Sequence, residues 1–195
     1  MTFIKTISEE QAENLVLEQY QVAQKSIGYI PNYTKTFSLH PEVYEAWTKL
    51  IGAIRSKMRM RRYELVTFAA AMELQCTYCM LAHGAILHKN FFNAQQLIAI
   101  VKDFRNADLT AEEVVLMSFA QKIIRSAHHI NEADVEEIRK LGLTDEEILD
   151  VVLATTARSF FSKTLDTLEI KPDEIYKELE PELIQVLALG RPFPE

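Results

Sequence analysis

Apolar residues recur at spacings of three and four along almost the whole chain, and this spacing limits the fold more than any other feature. A helix returns to the same face every 3.6 residues, so the spacing gathers apolar side chains on one face of each helix. Strand-like alternation is scarce, and glycine and proline fall between the periodic stretches. The sequence therefore predicts an all-α fold. The predicted helices span residues 8–27, 41–57, 61–74, 76–89, 93–104, 110–127, 132–141, 144–168 and 172–188.

Several of these helices begin with the pattern of a capping box, in which a side-chain oxygen is followed three positions later by Glu or Gln. The pairs are Ser8 with Gln11, Asn93 with Gln96, Thr110 with Glu113, and Thr144 with Glu147. Pro41 and Pro172 suit first helical positions, where a missing N–H costs little. Gly142 suits the left-handed residue that follows a helix. These residues define the predicted helix ends.

The composition fits one domain over residues 1–195, since 195 residues with 48% hydrophobic side chains can bury a substantial core. The net charge of -7 disfavours a nucleic-acid partner, because a phosphate backbone would be repelled. No window approaches the roughly 18 consecutive apolar residues that cross a bilayer, and the first ten residues lack the pattern of a secretion signal. We expect a cytoplasmic protein with no membrane partner.

A shift of 51 residues brings two parts of the chain into partial register. Residues 65–69 then lie over 116–120, and residues 97–101 lie over 148–152. We predict two related helical units, 61–104 and 110–168, within the single domain. Under this shift Glu64, Cys76, Cys79 and His83 correspond to Val115, Ala127, Ile130 and Asp134. The second unit is thus predicted to lack the active-site residues of the first.

Both cysteines of the chain lie in a CxxC pair, Cys76 and Cys79, with His83 four residues further on. On a helix these three side chains fall within an arc of about 60°. A thiolate is the nucleophilic form of cysteine, and His83 could accept the proton of Cys79. A pair at this spacing can also close a disulfide and pass on two electrons. The motif therefore indicates thiol chemistry.

Glu64 is the candidate carboxylate behind His83, where it would fix the imidazole tautomer and stabilise its charged form. An unbroken helix would separate Glu64 from Cys76 by about 18 Å, so the chain must turn back near residues 73–75. If the helix instead continued, Glu73 would share the cysteine face and replace Glu64.

The same residues are open to other interpretations. The cysteines could be small buried hydrophobes with no reactivity. A zinc site would use Cys76, Cys79, His83 and His88, but His88 lies about 120° around the helix from Cys76. The basic run between residues 55 and 62 could bind an anion, although such a run is more often a solvated helix end. The preferred interpretation requires neither metal nor cofactor.

Glu64, eleven intervening residues and then Cys76, Cys79 and His83 resemble the signature of AhpD-like alkyl hydroperoxidases in the carboxymuconolactone decarboxylase superfamily. Residues 61–104 carry this resemblance. Residues 28–32, 40–42 and 141–148 resemble more loosely its peroxidase-related branch. Leu74 and Gln75 stand where many relatives carry Asn-Gly, and Ser162 and Lys163 stand where many carry Asn-Arg.

The resemblance implies an AhpD-like helical fold, a homo-trimer or homo-hexamer, and a proton relay from Glu64 through His83 to the thiols. It makes Cys79 the residue that attacks a hydroperoxide and Cys76 the residue that resolves the sulfenic acid. A dithiol reductant, such as a lipoyl or thioredoxin-like protein, would regenerate the thiols.

The sequence therefore favours a thiol-dependent hydroperoxidase or disulfide reductase that acts through Cys79, Cys76, His83 and Glu64. One alternative is a redox sensor or scaffold without turnover. Another is a carboxymuconolactone-type decarboxylase, which the CxxC pair disfavours because those branches generally need no such pair.

Overall fold

In the computed structural model, which describes residues 2–193, the chain folds into ten α-helices. They are α1 (Asn14–Ile27), α2 (Asn32–Thr36), α3 (Pro41–Arg55), α4 (Met60–Glu73), α5 (Thr77–Asn90), α6 (Ala94–Asp103), α7 (Ala111–Ser126), α8 (Glu132–Lys140), α9 (Asp145–Thr167) and α10 (Pro181–Leu187). Short 3₁₀ segments occur at Phe37–Leu39, Phe104–Asn106, Ala127–His129 and Glu174–Glu178. No β-strand occurs between residues 2 and 193, and the predicted all-α fold is confirmed.

Helix α4 lies at the centre of the molecule and packs against α5, α7 and α9. Its residues 63–71 are all buried, including the carboxylate of Glu64. The small side chains at positions 69–71 are fully buried and let the neighbouring helices approach closely. Burial on every side explains why α4 shows little amphipathic contrast.

Most of the predicted helix ends are confirmed. Capping boxes form at Asn93, Thr110 and Thr144, and the side chain of each accepts a hydrogen bond from the backbone N–H three residues later. Pro41 begins α3, and Gly142 adopts the left-handed conformation with φ of 91° after α8. Each of these ends satisfies backbone groups that the helix itself leaves unpaired.

The predicted start of the first helix at Ser8 is wrong. Ser8 instead begins a separate turn, in which its carbonyl accepts the N–H of Gln11 at 3.2 Å. The extended backbone of Glu13, with φ of -132° and ψ of 160°, separates this turn from α1. The helix therefore begins at Asn14 rather than at residue 8.

The predicted helix at 172–188 is also wrong, because the structure has a 3₁₀ turn followed by the short helix α10. Pro181, not Pro172, occupies the first turn of that helix. A proline forces the residue before it out of the helical region, and Glu180 is extended with φ of -60° and ψ of 136°. The periodicity continues across this break, which is why it predicted one helix.

None of the helices between residues 2 and 193 combines the length and the apolar character required to cross a membrane.

Candidate active site

The chain turns back between α4 and α5 through a Schellman motif. The N–H of Gln75 bonds to the carbonyl of Met72, and the N–H of Cys76 bonds to the carbonyl of Ala71. Gln75 adopts the left-handed conformation, with φ of 54°. Cys76 is then the N-cap of α5. The predicted break at residues 73–75 is therefore confirmed.

This turn places Cys79 in the first turn of α5, where the unpaired backbone N–H groups of a helix favour negative charge. Cys79 is 1% exposed. The hydroxyl of Ser162 donates to it at 3.1 Å, and Nη1 of Arg158 lies 3.6 Å away. The site thus directs polar donors from α9 at the sulfur of Cys79.

The two cysteines have opposite electrostatic environments. A hydrogen bond from the Cys76 thiol, the charges of Arg158 and His83, and the hydroxyl of Ser162 lower the pKa of Cys79 despite its burial. The hydrogen bond to Cys79 and burial raise the pKa of Cys76 well above its ordinary range. These environments favour the thiolate at Cys79 and the protonated thiol at Cys76.

Glu64 and His83 form a buried pair, with Oε2 of Glu64 2.6 Å from Nδ1 of His83. The hydroxyl of Thr67 lies 3.4 Å from the same nitrogen. Burial alone would raise the pKa of Glu64, but the charge and hydrogen bond of His83 and the nearby Arg55 and Arg158 hold it below its ordinary value. With Nδ1 engaged, Nε2 is the nitrogen left to exchange a proton.

Glu73, the alternative carboxylate, lies outside the site. It pairs with Arg125 at 2.6 Å on the surface. His88, the fourth ligand of the zinc interpretation, contacts the carbonyl of Phe92 and the carboxylate of Glu180. No group of three or more His, Cys, Asp or Glu side chains within residues 2–193 is arranged to hold a metal ion.

The basic run forms ion pairs between helices. Arg61 pairs with Glu113, and Arg62 pairs with both Glu112 and Glu147. These contacts join the start of α4 to the starts of α7 and α9. The anion-binding interpretation of these two arginines has no support in this arrangement.

Arg158 and Ser162 were not predicted as site residues. They lie four positions apart on α9 and both are buried. Both belong to the 110–168 segment, whose counterparts of Glu64, Cys76, Cys79 and His83 are different residues. The only local signal was an arginine on an otherwise apolar face of a helix.

The C-terminal strap, defined as residues 188–193, covers the start of α5. The N–H of Gly190 donates to Oγ1 of Thr77 at 3.0 Å, and the same hydroxyl donates to the carbonyl of Arg191 at 2.8 Å. Arg191 also contacts the carbonyl of Asp166 at 3.2 Å. Beneath these contacts Cys76 is 0% exposed. The sequence from Gly190 onward, Gly-Arg-Pro-Phe-Pro-Glu, predicts an extended arm, of which residues 194 and 195 lie outside the described part of the chain.

Comparison with known proteins places the chain among relatives with this fold. Residues 41–121 match the model of the Carboxymuconolactone decarboxylase family. No curated protein sequence matches the chain.

Three solved structures are similar over most of the chain. One is an uncharacterized peroxidase-related protein from Ralstonia eutropha JMP134, described as an alkylhydroperoxidase AhpD core, with a TM-score of 0.81, 23% identity, and 90% of this chain and 94% of that chain covered. An uncharacterized peroxidase-related protein from Silicibacter sp. TM1040 has a TM-score of 0.81 and 24% identity. The match covers 91% of this chain and 94% of that chain. A cysteine-to-alanine variant of the debrominase Bmp8, in complex with 2,3,4-tribromopyrrole, has a TM-score of 0.77 and 13% identity. The match covers 95% of this chain and 98% of that chain. At these identities the likeness establishes the fold.

The all-helical fold, with the helix turn that carries the CxxC pair, is similar to the AhpD core fold. The match to the Carboxymuconolactone decarboxylase family covers residues 41–121, which is less than half of the chain, and within that segment the chain resembles this family.

Proposed function

We propose that this protein is a thiol-dependent hydroperoxidase in which Cys79 is the nucleophile. The observation that carries this proposal is the environment of the Cys79 sulfur, which the Ser162 hydroxyl approaches at 3.1 Å and the Arg158 guanidinium at 3.6 Å. A buried thiolate next to a cation and a hydroxyl is the reactive form of cysteine. The peroxidase-related proteins of the same fold support this reaction class.

The proposed reaction begins when Nε2 of His83 takes the proton of Cys79. Glu64, 2.6 Å from Nδ1, stabilises the resulting imidazolium. The thiolate attacks the terminal peroxide oxygen, the O–O bond breaks, and Cys79 becomes a sulfenic acid. The leaving alkoxide takes the proton from His83 and departs as the alcohol. The Cys76 sulfur then displaces water from that sulfenic acid, which closes the Cys76–Cys79 disulfide.

Turnover requires a dithiol reductant, and we propose a lipoyl or thioredoxin-like protein in the cytoplasm. Thiol–disulfide exchange with such a partner returns both cysteines to the thiol state.

We further propose that the chain forms a homo-trimer or homo-hexamer. Support comes from large apolar side chains that α3 and α9 expose. They are Val43, Leu50, Leu149, Leu153 and Phe160. Light scattering after size-exclusion chromatography measures the mass, and a monomer at micromolar concentration would contradict this assembly.

Exchange of each cysteine for serine tests the assignment of the two thiols. Cys79→Ser is expected to abolish consumption of cumene hydroperoxide, because the nucleophile is lost. Cys76→Ser is expected to react once and stop, leaving a sulfenic acid at Cys79 that dimedone labels. Mass spectrometry of the labelled peptide locates the adduct. Undiminished turnover by the Cys79→Ser variant would overturn the proposed function.

A second pair of variants tests the relay. Glu64→Gln removes the charge behind His83 and is expected to slow peroxide reduction by about 10²-fold, in the range typical of acid–base groups. Glu73→Gln is the matched control, since Glu73 pairs with Arg125 at the surface and should leave the rate unchanged. Equal rates for the two variants would show that Glu64 takes no part in peroxide reduction.

The burial of both thiols favours one second candidate, a redox sensor that forms the disulfide without turnover. Stopped-flow assays with a hydroperoxide and excess dithiol separate the two functions. A hydroperoxidase consumes many equivalents of peroxide per protein, whereas a sensor consumes one.

A further inference from the structure

Arg158 is a buried cation, 6% exposed, that forms no salt bridge with a carboxylate within the described residues 2–193. Its charge helps to lower the pKa of Glu64, but that carboxylate is already paired with His83. The Nε atom of Arg158 is buried and has no hydrogen-bond partner. A buried guanidinium without a counter-ion is costly, so a native structure normally supplies one. The anion closest at hand is the thiolate of Cys79, 3.6 Å from Nη1.

This ion pair exists only while Cys79 carries its charge. When the sulfur attacks a hydroperoxide, the negative charge moves to the oxygen that leaves. A guanidinium has five N–H donors in a rigid plane, so it can stabilise negative charge first on the sulfur and then on the oxygen while it stays in place. The unpartnered Nε provides a donor for that oxygen. The hydroxyl of Ser162 has only one proton, which it already directs at the sulfur.

We propose that Arg158 is a catalytic residue that stabilises first the Cys79 thiolate and then the alkoxide that leaves as the peroxide bond breaks. This inference rests on the proposed function and adds a residue to it. In the step, the thiolate attacks the terminal oxygen, an S–O bond forms, and the O–O bond breaks. The sulfur loses two electrons and the peroxide gains them. The alkoxide takes the proton that His83 removed from Cys79, while Arg158 stays charged throughout.

Cumene hydroperoxides with different para substituents provide the test, because the substituent changes the basicity of the leaving alkoxide far from the O–O bond. The rate constant for oxidation of the reduced protein is measured for wild type, Arg158→Met and Arg158→Lys. Each is assayed at a pH where alkylation shows that Cys79 is fully ionised. Under this condition an effect on the thiolate fraction alone no longer changes the rate.

Arg158→Met is expected to react about 10²-fold more slowly than wild type, as on loss of one oxyanion donor. Its rate should depend more steeply on the substituent, because the leaving oxygen must now carry its charge unaided. Arg158→Lys should recover part of both effects. Arg105→Met is the matched control. Arg105 lies over the ring of Phe104 at 4.4 Å, as Arg158 lies over that of Phe161, but Arg105 is exposed and its side chain bonds to Gln121 rather than to a cysteine. It should behave as wild type.

An equal substituent dependence in wild type and in Arg158→Met would overturn the proposal. If the methionine variant does not fold, wild type is compared with a free thiol, N-acetylcysteine. The protein should then show the weaker dependence, and equal dependence would again overturn the role of Arg158. If wild type forms no sulfenic acid with any hydroperoxide, the proposed function itself is wrong and this role is wrong with it.

Discussion

At the residue scale, two identical side chains three positions apart lie in opposite electrostatic environments because of their neighbours. Cys79 accepts hydrogen bonds and lies beside Arg158, whereas Cys76 donates a hydrogen bond and lies near the carboxylate of Asp166. The pKa of Cys79 is therefore lowered and that of Cys76 is raised. This difference supports the proposed roles of Cys79 as attacking and Cys76 as resolving thiol, independently of their order in the motif.

The lowered pKa of Cys79 makes stability depend on pH. Between its folded pKa and the ordinary value of about 8.5, the unfolded chain binds more protons at this residue than the folded chain. The contribution of Cys79 to folding stability is complete above about pH 8.5, and it is lost as the pH falls through the folded pKa. The free energy of unfolding of reduced wild type, minus that of Cys79→Ser, should therefore increase with pH up to about 8.5. Urea titrations at several pH values measure it. A flat difference would mean that Cys79 is not ionised in the folded protein.

At the element scale, α4 and α5 are joined by a turn that lacks the glycine expected in such a motif. Gln75 occupies the left-handed position with φ of 54°, which costs a residue with a Cβ atom about 1–2 kcal/mol. The hydrogen bonds of the Schellman motif and the buried packing of Cys76 on its far side hold it there. No local residue enforces this break. The sequence indicated it only through the requirement that Glu64 and Cys76 come together.

Replacement of Gln75 by glycine should stabilise the protein. Glycine adopts positive φ without steric cost, and its greater freedom in the unfolded chain offsets part of the gain. We expect the free energy of unfolding to increase by up to about 1 kcal/mol. Gln21→Gly is the matched control, because Gln21 is exposed within α1, where glycine should destabilise by about 0.5–1 kcal/mol. Equal effects of the two substitutions in urea titrations would contradict the strain at Gln75.

At the scale of the whole molecule, the site combines a local part that the sequence predicts with a distant part that it does not. Glu64 and His83 lie on two consecutive helices, so their spacing and the required turn were enough to bring them together. Arg158 is 79 residues from Cys79, and its position depends on how α9 packs against α4 and α5. Ser8 and Pro172 carried the expected local signals, but tertiary packing and a later proline placed those helix ends elsewhere.

The C-terminal strap is a second contribution that only the folded chain reveals. It lies against the turn between α4 and α5 so closely that a Cβ atom on Gly190 would come within 1.9 Å of the Gln75 carbonyl oxygen. Because Cys76 is 0% exposed, a reductant cannot reach the disulfide unless some part of this covering moves. Residues 189–192 of the strap are exposed, and segments with few buried contacts open at low free-energy cost.

Gly190→Ala should therefore expose the thiols. The new methyl group displaces the strap from Gln75 and breaks the two hydrogen bonds to Thr77. Each contributes about 1 kcal/mol, so opening should become roughly tenfold or more easier. Alkylation of the reduced protein by N-ethylmaleimide should accelerate by a similar factor. Gly52→Ala is the matched control, because a Cβ atom there meets nothing within 4 Å, and its alkylation rate should equal that of wild type. An unchanged rate in Gly190→Ala would show that access to Cys76 and Cys79 is limited elsewhere, and that the reductant must approach from another side of α5.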